Sequence, residues 1–314
     1  MADHSRIEWT DATWNPATGC TKISPGCKNC YAQTFAERFR GVPGHPYEQG
    51  FDLWLWPNRL KLPLTCKTPR RIFVNSMSDL FHERIPDSFI DLVFATMVEA
   101  HWHEFQVLTK RPERMVSYMA ARAHRWGKLS IRSPHIWLGA SVENQDYAYR
   151  AALVASLPSA VRFLSCEPLL GPLALRERLG VSKVNWVIVG GESGRRARPM
   201  DVSWVLDIRD QCVDASVPFF FKQWGGTNKK KTGRLLERRT WDEMPRYNAR
   251  SACDPARWKC DSIGAHLGTK RCTVRATTTS VPRALSPRRT AKRTRRDATP
   301  RRTGRHPSGR SAPR

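Results

Sequence analysis

No apolar run in the chain approaches the roughly 18 residues that a membrane-spanning helix needs, so no such span and no membrane partner are expected. The start, Met1-Ala-Asp-His-Ser-Arg, has neither the basic flank nor the apolar stretch of a secretory signal, which makes the cytoplasm the expected location. An even set of cysteines is also missing. Nine in 314 residues cannot all pair, so metal ligation or plain burial is expected in place of a disulfide scaffold. Acidic residues are scarce, 28 against 53 Lys+Arg, for a formal net charge of +25. No Gly-x-Gly-x-x-Gly fingerprint is present, because Gly190-Gly-Glu-Ser-Gly194 has a different spacing and follows a late strand.

The charge is unevenly spread. Residues 249–314 hold 18 Lys+Arg and 3 Asp, net +15, which leaves +10 on residues 1–248. The division expected is a folded domain over 1–247 and a low-complexity basic tail over 248–314. Such a tail cannot bury enough apolar surface to offset chain entropy and is expected to be disordered. Two origins fit its Arg-, Pro- and Thr-rich text: an arm that neutralises phosphates, or a frameshifted extension of a GC-rich gene.

Apolar residues make up 40% of the chain, enough for a sizeable core. Between Arg70 and Gly226, short β-branched or aromatic runs alternate with amphipathic stretches. The runs are 71–75, 105–109, 136–140, 161–165, 186–190 and 217–222; the predicted helices are 87–100, 113–125, 146–155 and 203–215. Cys30–Arg40 reads as a further helix, residues 51–55 as a further strand, and Trp9, Trp14, Trp54 and Trp56 as a lid or wall. Alternation of this kind predicts an α/β fold with a parallel sheet, either closing toward a (β/α) barrel or doubly wound. Polar or glycine residues recur at six successive strand ends, where a doubly wound sheet would gather them at one switch point. A parallel barrel or partial barrel is therefore expected.

The sharpest local signal is Gly19-Cys20-Thr-Lys-Ile-Ser-Pro-Gly-Cys27-Lys-Asn-Cys30-Tyr-Ala32. Three thiols with no fourth nearby suit a [4Fe–4S] cluster that keeps one iron open, whereas a structural zinc site normally supplies four ligands. The zinc alternative would draw its fourth ligand from His45, His82 or Cys66. Candidate cofactor contacts at the strand ends are Asn75, Ser76, Asp79, Ser141, Glu143, Asn144, Gly190, Gly191 and Glu192. Lys110, Glu167 and Lys222 are candidate substrate contacts, with salt bridging between the lysines and the glutamates as the competing reading. Glu167 and Glu192 also resemble the two carboxylates of a retaining glycosidase, a reading that leaves the cysteines without a role. Basic residues at the rim, including Arg195, Arg196, Arg198 and Lys229-Lys-Lys231, make a nucleic-acid or nucleotide substrate plausible, though no stacking platform stands out.

The ending Cys-x2-Cys-Tyr-Ala is similar to the spore-photoproduct-lyase-like branch of the radical-SAM superfamily. Residues 1–245 as a whole resemble a phage and bacterial family of uncharacterised proteins, the gp thirty-seven/gp sixty-eight-like group. The matching text is Trp9-Thr-Asp-Ala-Thr-Trp-Asn-Pro16, the cysteine loop, Ile72-Phe-Val-Asn-Ser-Met-Ser-Asp-Leu-Phe81, Leu108-Thr-Lys-Arg-Pro112, Leu164-Ser-Cys-Glu-Pro-Leu-Leu-Gly171, Val189-Gly-Gly-Glu-Ser-Gly194 and Phe220-Phe-Lys-Gln-Trp-Gly225. Six residues separate the first two cysteines, where the common radical-SAM motif has three. The resemblance implies a barrel of radical-SAM type that binds a cluster through Cys20, Cys27 and Cys30 and cleaves S-adenosylmethionine (SAM). A non-enzymatic, zinc-binding phage protein that binds nucleic acid is the alternative.

Overall fold

The computed structural model describes residues 1–3, 5, 7–180 and 183–245. Contacts divide the chain into Met1–Lys259 and Cys260–Arg314, and every described residue belongs to the first unit. The expected tail, 248–314, lies outside the described residues.

Among the described residues ten strands form: β1 (Ala2–Asp3), β2 (Ala12–Trp14), β3 (Ala17–Thr18), β4 (Trp54–Leu55), β5 (Arg71–Val74), β6 (Glu104–Thr109), β7 (Ile136–Ser141), β8 (Arg162–Cys166), β9 (Trp186–Gly190) and β10 (Phe219–Gln223). Eight of them build one sheet in the order β1-β2-β5-β6-β7-β8-β9-β10. From β2 to β10 every pairing is parallel, and β1 adds an antiparallel edge. Strand order never reverses, so no switch point exists. The seven parallel strands instead curl into a half-barrel that runs from β2 to β10. A second, two-stranded ribbon pairs β3 with β4.

Side chains alternate between the two faces of each strand, and the sheet uses both. The outer face is aliphatic. Ile72, Val74, Val107, Leu138, Leu164, Val187 and Val189 pack there against the crossover helices α2 (Asp87–Glu99), α3 (Pro112–Ala121), α4 (Tyr149–Ala155) and α5 (Val202–Asp214); α1 (Tyr31–Ala36) follows the cysteine loop. The concave face is aromatic. Phe73, Trp137, Phe163, Trp186 and Phe220 join Trp9 in a separate buried cluster. Trp186 is its hub, with ring centroids 5.4 Å from Phe163, 5.7 Å from Trp137, 6.2 Å from Trp9 and 6.3 Å from Phe220. These rings fill the lower interior, so the half-barrel has a packed floor, as closed barrels have.

Most expected elements are present, with shifted ends. The helix read over 113–125 stops at Ala121, and a separate turn covers Ala123–Trp126. At the break, Arg122 is drawn to Asp91 at 2.6 Å and to Asp87 at 3.1 Å. The Trp quartet divides: Trp9 and Trp14 are buried, whereas Trp54 is half exposed. The strand β2, too short to show a period, carries no signal in the sequence. Among the described residues, no helix is long and apolar enough to cross a membrane.

Candidate functional site

Each parallel strand delivers its C-terminal end to the same mouth, and β2 does so first. The chain leaves β2, passes through β3 and enters the cysteine loop, which therefore lies over that mouth. Gly19 makes this passage possible. Its φ is +83°, and a Cβ there would meet the Asp52 carbonyl oxygen at 2.1 Å. Its N–H donates to the Met77 carbonyl at 3.0 Å, tying the loop to the turn after β5.

Three ion pairs, two buried and the third half-buried, clamp the loop from beneath. Arg111 links Asp79 (3.2 Å) and Glu83 (2.7 Å) to Thr21 Oγ1 (2.9 Å), and donates to Cys20 Sγ at 3.5 Å. Glu143, fully buried, accepts from Ser24 Oγ at 2.6 Å and from Arg150 at 3.1 Å, with Lys110 Nζ at 3.5 Å. Glu192 accepts from Asn29 Nδ2 at 2.9 Å and from Arg198 at 2.6 Å, and Arg198 also donates to the Pro25 carbonyl at 3.0 Å. Gly26 rests on the Glu143 side chain so closely that a Cβ would sit 2.6 Å from its Cγ. Burial pushes the Glu192 carboxyl up, but bonds from Arg198 and Asn29 outweigh it and hold the group below the usual range. Burial, then Asp79, pushes the Cys20 thiol up to about 12 against the pull of Arg111. A metal would supply the positive charge that releases this proton.

The thiols share one neighbourhood. Cys20 and Cys30 pack against Ala32, Ala36 and Phe51, and Cys27 lies within electrostatic reach of Cys20. Yet among the described residues no three His, Cys, Asp or Glu side chains converge tightly enough to hold a single metal ion. The expected zinc completion is not assembled. His82 bonds Thr21 Oγ1 at 3.0 Å, His45 stacks on Phe39 at 3.8 Å, and Cys66 bonds the Thr68 carbonyl. A tetrahedral zinc holds sulfurs at about 2.3 Å, hence within about 4 Å of one another. A cluster spreads its thiolates over several irons and asks for a wider triangle. Three thiols on one clamped loop are the donor set that a cluster with one open iron would use.

Asn75 supplies a second mark of a ligand. It is 2% exposed, and among the described residues neither its Oδ1 nor its Nδ2 has a hydrogen-bond partner. Buried polar groups are nearly always paired, because an unmade bond costs about 1–3 kcal/mol. Its φ is +61°, a left-handed conformation that Asn tolerates better than most residues. Its N–H donates to the Trp14 carbonyl at 2.8 Å, so β2 holds it in place. On the strands across the curl, Lys222 Nζ donates to Glu167 Oε1 at 2.5 Å. Gly190 lies between them, where a Cβ would meet Lys222 Cβ at 3.4 Å and Glu167 Cδ at 3.5 Å. Tyr31 bonds the Ser76 carbonyl and lies within electrostatic reach of Cys30 and Glu167.

The sequence candidates thus fall into groups. Asp79, Glu143 and Glu192, expected as cofactor contacts, anchor the loop. Lys110 joins Glu143, and Lys222 pairs with Glu167 as the salt-bridge reading anticipated. With Glu192 held by Arg198 and Asn29, the pair of free carboxylates that a glycosidase needs is not formed. Ser76 bonds Asn15, Ser141 is buried with its carbonyl held by Arg150, and Gly191 packs on the Trp224 carbonyl. Asn144 Nδ2 donates to Asp146 at 3.1 Å while its Oδ1 is buried without a partner. Sequence reasoning missed Ser24, Asn29, Tyr31 and Arg150. Only Arg150 left a signal, an arginine on the apolar face of α4 beside Ala151 and Val154.

No curated protein and no solved structure matches the chain. One family model does, over residues 4–245, and its description is "Protein of unknown function (DUF5131)". It spans the cysteine loop and every parallel strand of the half-barrel, and on that match the chain belongs to the DUF5131 family.

Proposed function

We propose that the chain is an iron–sulfur enzyme of radical-SAM type, which cleaves SAM to act on a nucleic acid or nucleotide. The observation that carries this reading is the mouth itself: three thiols on one clamped loop, and a buried Asn75 carboxamide at a strand end that has no hydrogen-bond partner among the described residues. Cys20, Cys27 and Cys30 would hold the cluster. When bound, a reduced cluster with one open iron position supplies the electron that cleaves the sulfonium.

The chain's own residues do the positioning. The Asn75 carboxamide offers one acceptor and two donors to a polar ligand. Glu167 and Lys222 present both signs of charge across the curl, suited to a zwitterionic or hydroxyl-rich guest. Gly190 leaves room between them. Beneath lies the aromatic floor around Trp186, which keeps water from entering below the ligand. The clamps hold the loop in register, so that ligation does not have to order it.

Anaerobic reconstitution with iron and sulfide tests the reading. The expected product is brown, with broad absorbance from thiolate-to-iron charge transfer, and Cys27→Ala abolishes iron uptake. Incubation with SAM and a reductant is expected to release 5′-deoxyadenosine. Colourless protein carrying about one zinc per chain, or unchanged iron content in Cys27→Ala, would refute it.

A further inference from the structure

A band of aromatic rings runs outward from the cysteine loop. Tyr31 follows Cys30 directly and is 56% exposed; Phe35, one helical turn further along α1, is 43% exposed. Phe35 meets Tyr47 edge-on, with centroids 5.6 Å apart. Tyr47 is within electrostatic reach of Arg59, whose guanidinium lies 3.9 Å over the Trp56 ring. Trp56 in turn sits 6.3 Å from Trp54, which is 52% exposed. Three of these rings, Tyr31, Phe35 and Trp54, are exposed, Tyr47 and Trp56 between them are half-buried, and the row begins at the proposed catalytic mouth.

The charge around the band is positive. Residues 20–61 contain six Lys+Arg and three Asp+Glu. Two of those acids, Glu37 and Asp52, are neutralised by the single residue Arg40, at 2.6 and 3.0 Å. Lys22, Lys28, Arg38 and Lys61 are exposed. An apolar partner protein needs no such excess of cations. A polyanion with flat apolar faces needs both features, and unpaired nucleobases on a phosphate backbone provide them.

We propose that this band is a stacking platform for single-stranded nucleic acid, with Phe35 and Trp54 receiving bases and the flanking lysines and arginines receiving phosphates. It rests on the proposed function only for what happens to the strand afterwards. A duplex keeps its base faces stacked inside and offers the rings nothing, so the platform discriminates by strandedness and not by sequence.

Fluorescence anisotropy of a labelled single strand of about 12 nucleotides tests the idea on the full chain. All variants keep the tail and are compared at about 0.2 M salt, where binding by phosphate neutralisation alone is weak and stacking on the rings persists. Phe35→Ala and Trp54→Ala are each expected to weaken single-strand binding about tenfold or more. Phe35→Leu, which keeps the bulk but loses the ring, should weaken it likewise, and Phe35→Trp should retain it. Ile131→Ala, at an exposed site outside the band, should change nothing. Unchanged melting temperatures establish that each variant is folded. Equal affinity of single strand and duplex, with all ring variants unchanged, would overturn the platform, as would failure of the wild type to bind the single strand at all. Binding is read without iron, SAM or turnover, so a failure of the cluster chemistry would leave this result standing, and the reverse.

Discussion

Two sets of polar residues lie at the same strand ends, and they do opposite things. In the clamps, Asp79–Arg111, Glu143–Arg150 and Glu192–Arg198, every carboxylate is occupied, and Arg111, Glu143, Glu192 and Arg198 reach the cysteine loop. At the mouth, the buried Asn75 carboxamide has no hydrogen-bond partner among the described residues, and Glu167 is paired with Lys222. A group whose bonding is complete can hold structure but has little left for a ligand. A group left short can bind a guest at no cost in broken bonds. The clamps are therefore scaffold, and the mouth is where the proposed chemistry would take place.

The largest expected effect comes from breaking a clamp. Glu143→Leu would leave Arg150, 2% exposed, without its charge partner. Such a loss costs about 3–5 kcal/mol, read as a drop in urea midpoint. The same variant should lose iron uptake, because Ser24 and the loop lose their anchor. Normal stability in Glu143→Leu would mean that the clamp is not what holds this face together.

Acid should loosen the fold before it touches the clamps. His135 donates from Nε2 to the Met97 carbonyl at 2.9 Å, and burial lowers its pKa to about 4. Between that value and the unfolded value of about 6.5, only the unfolded chain takes the proton. Stability from this residue is complete above about 6.5 and falls as pH drops toward 4, by about 2 kcal/mol at pH 5. The depressed Glu192 carboxyl contributes above about 4.5 and is lost only as pH falls further, through its folded value. Urea melts across pH 4–7 are expected to show a decline that His135→Gln flattens. An equally steep decline in that variant would place the sensitive group elsewhere.

Asn75→Gly sharpens the comparison with the smallest effect on the fold. Glycine accepts the positive φ, and no hydrogen bond is lost in the ligand-free protein. Stability should change by less than about 1 kcal/mol, while 5′-deoxyadenosine release falls about tenfold. Equal release by this variant would show that the orphaned carboxamide has no ligand. Lys222→Met should likewise spare iron uptake, and a colourless Lys222→Met would move that residue from the mouth to the scaffold.

Much of this was legible in advance, and the limits are physical. Six of the seven parallel strands announced themselves because burial on both faces enforces apolar runs. The seventh, Ala12–Trp14, is three residues long and shows no period. The cysteine loop was visible because its ligands are neighbours in the chain. The polar strand ends were visible as a class, but their division into clamp and mouth was not. Ser24 meets Glu143 across 119 residues, and Asn29 meets Glu192 across 163. Nothing local to a glutamate records which distant side chain will reach it.

The sequence by itself determined the alternating α/β pattern, the parallel sheet and the three-thiol loop, since each follows from the chemistry of adjacent residues. Tertiary structure alone decided that the sheet stays open as a half-barrel, that three carboxylates serve the loop, and that the Asn75 carboxamide finds no partner among the described residues. Those outcomes depend on which long-range pairs form as the sheet curls, and a pair exists only once both members have been brought to the same place.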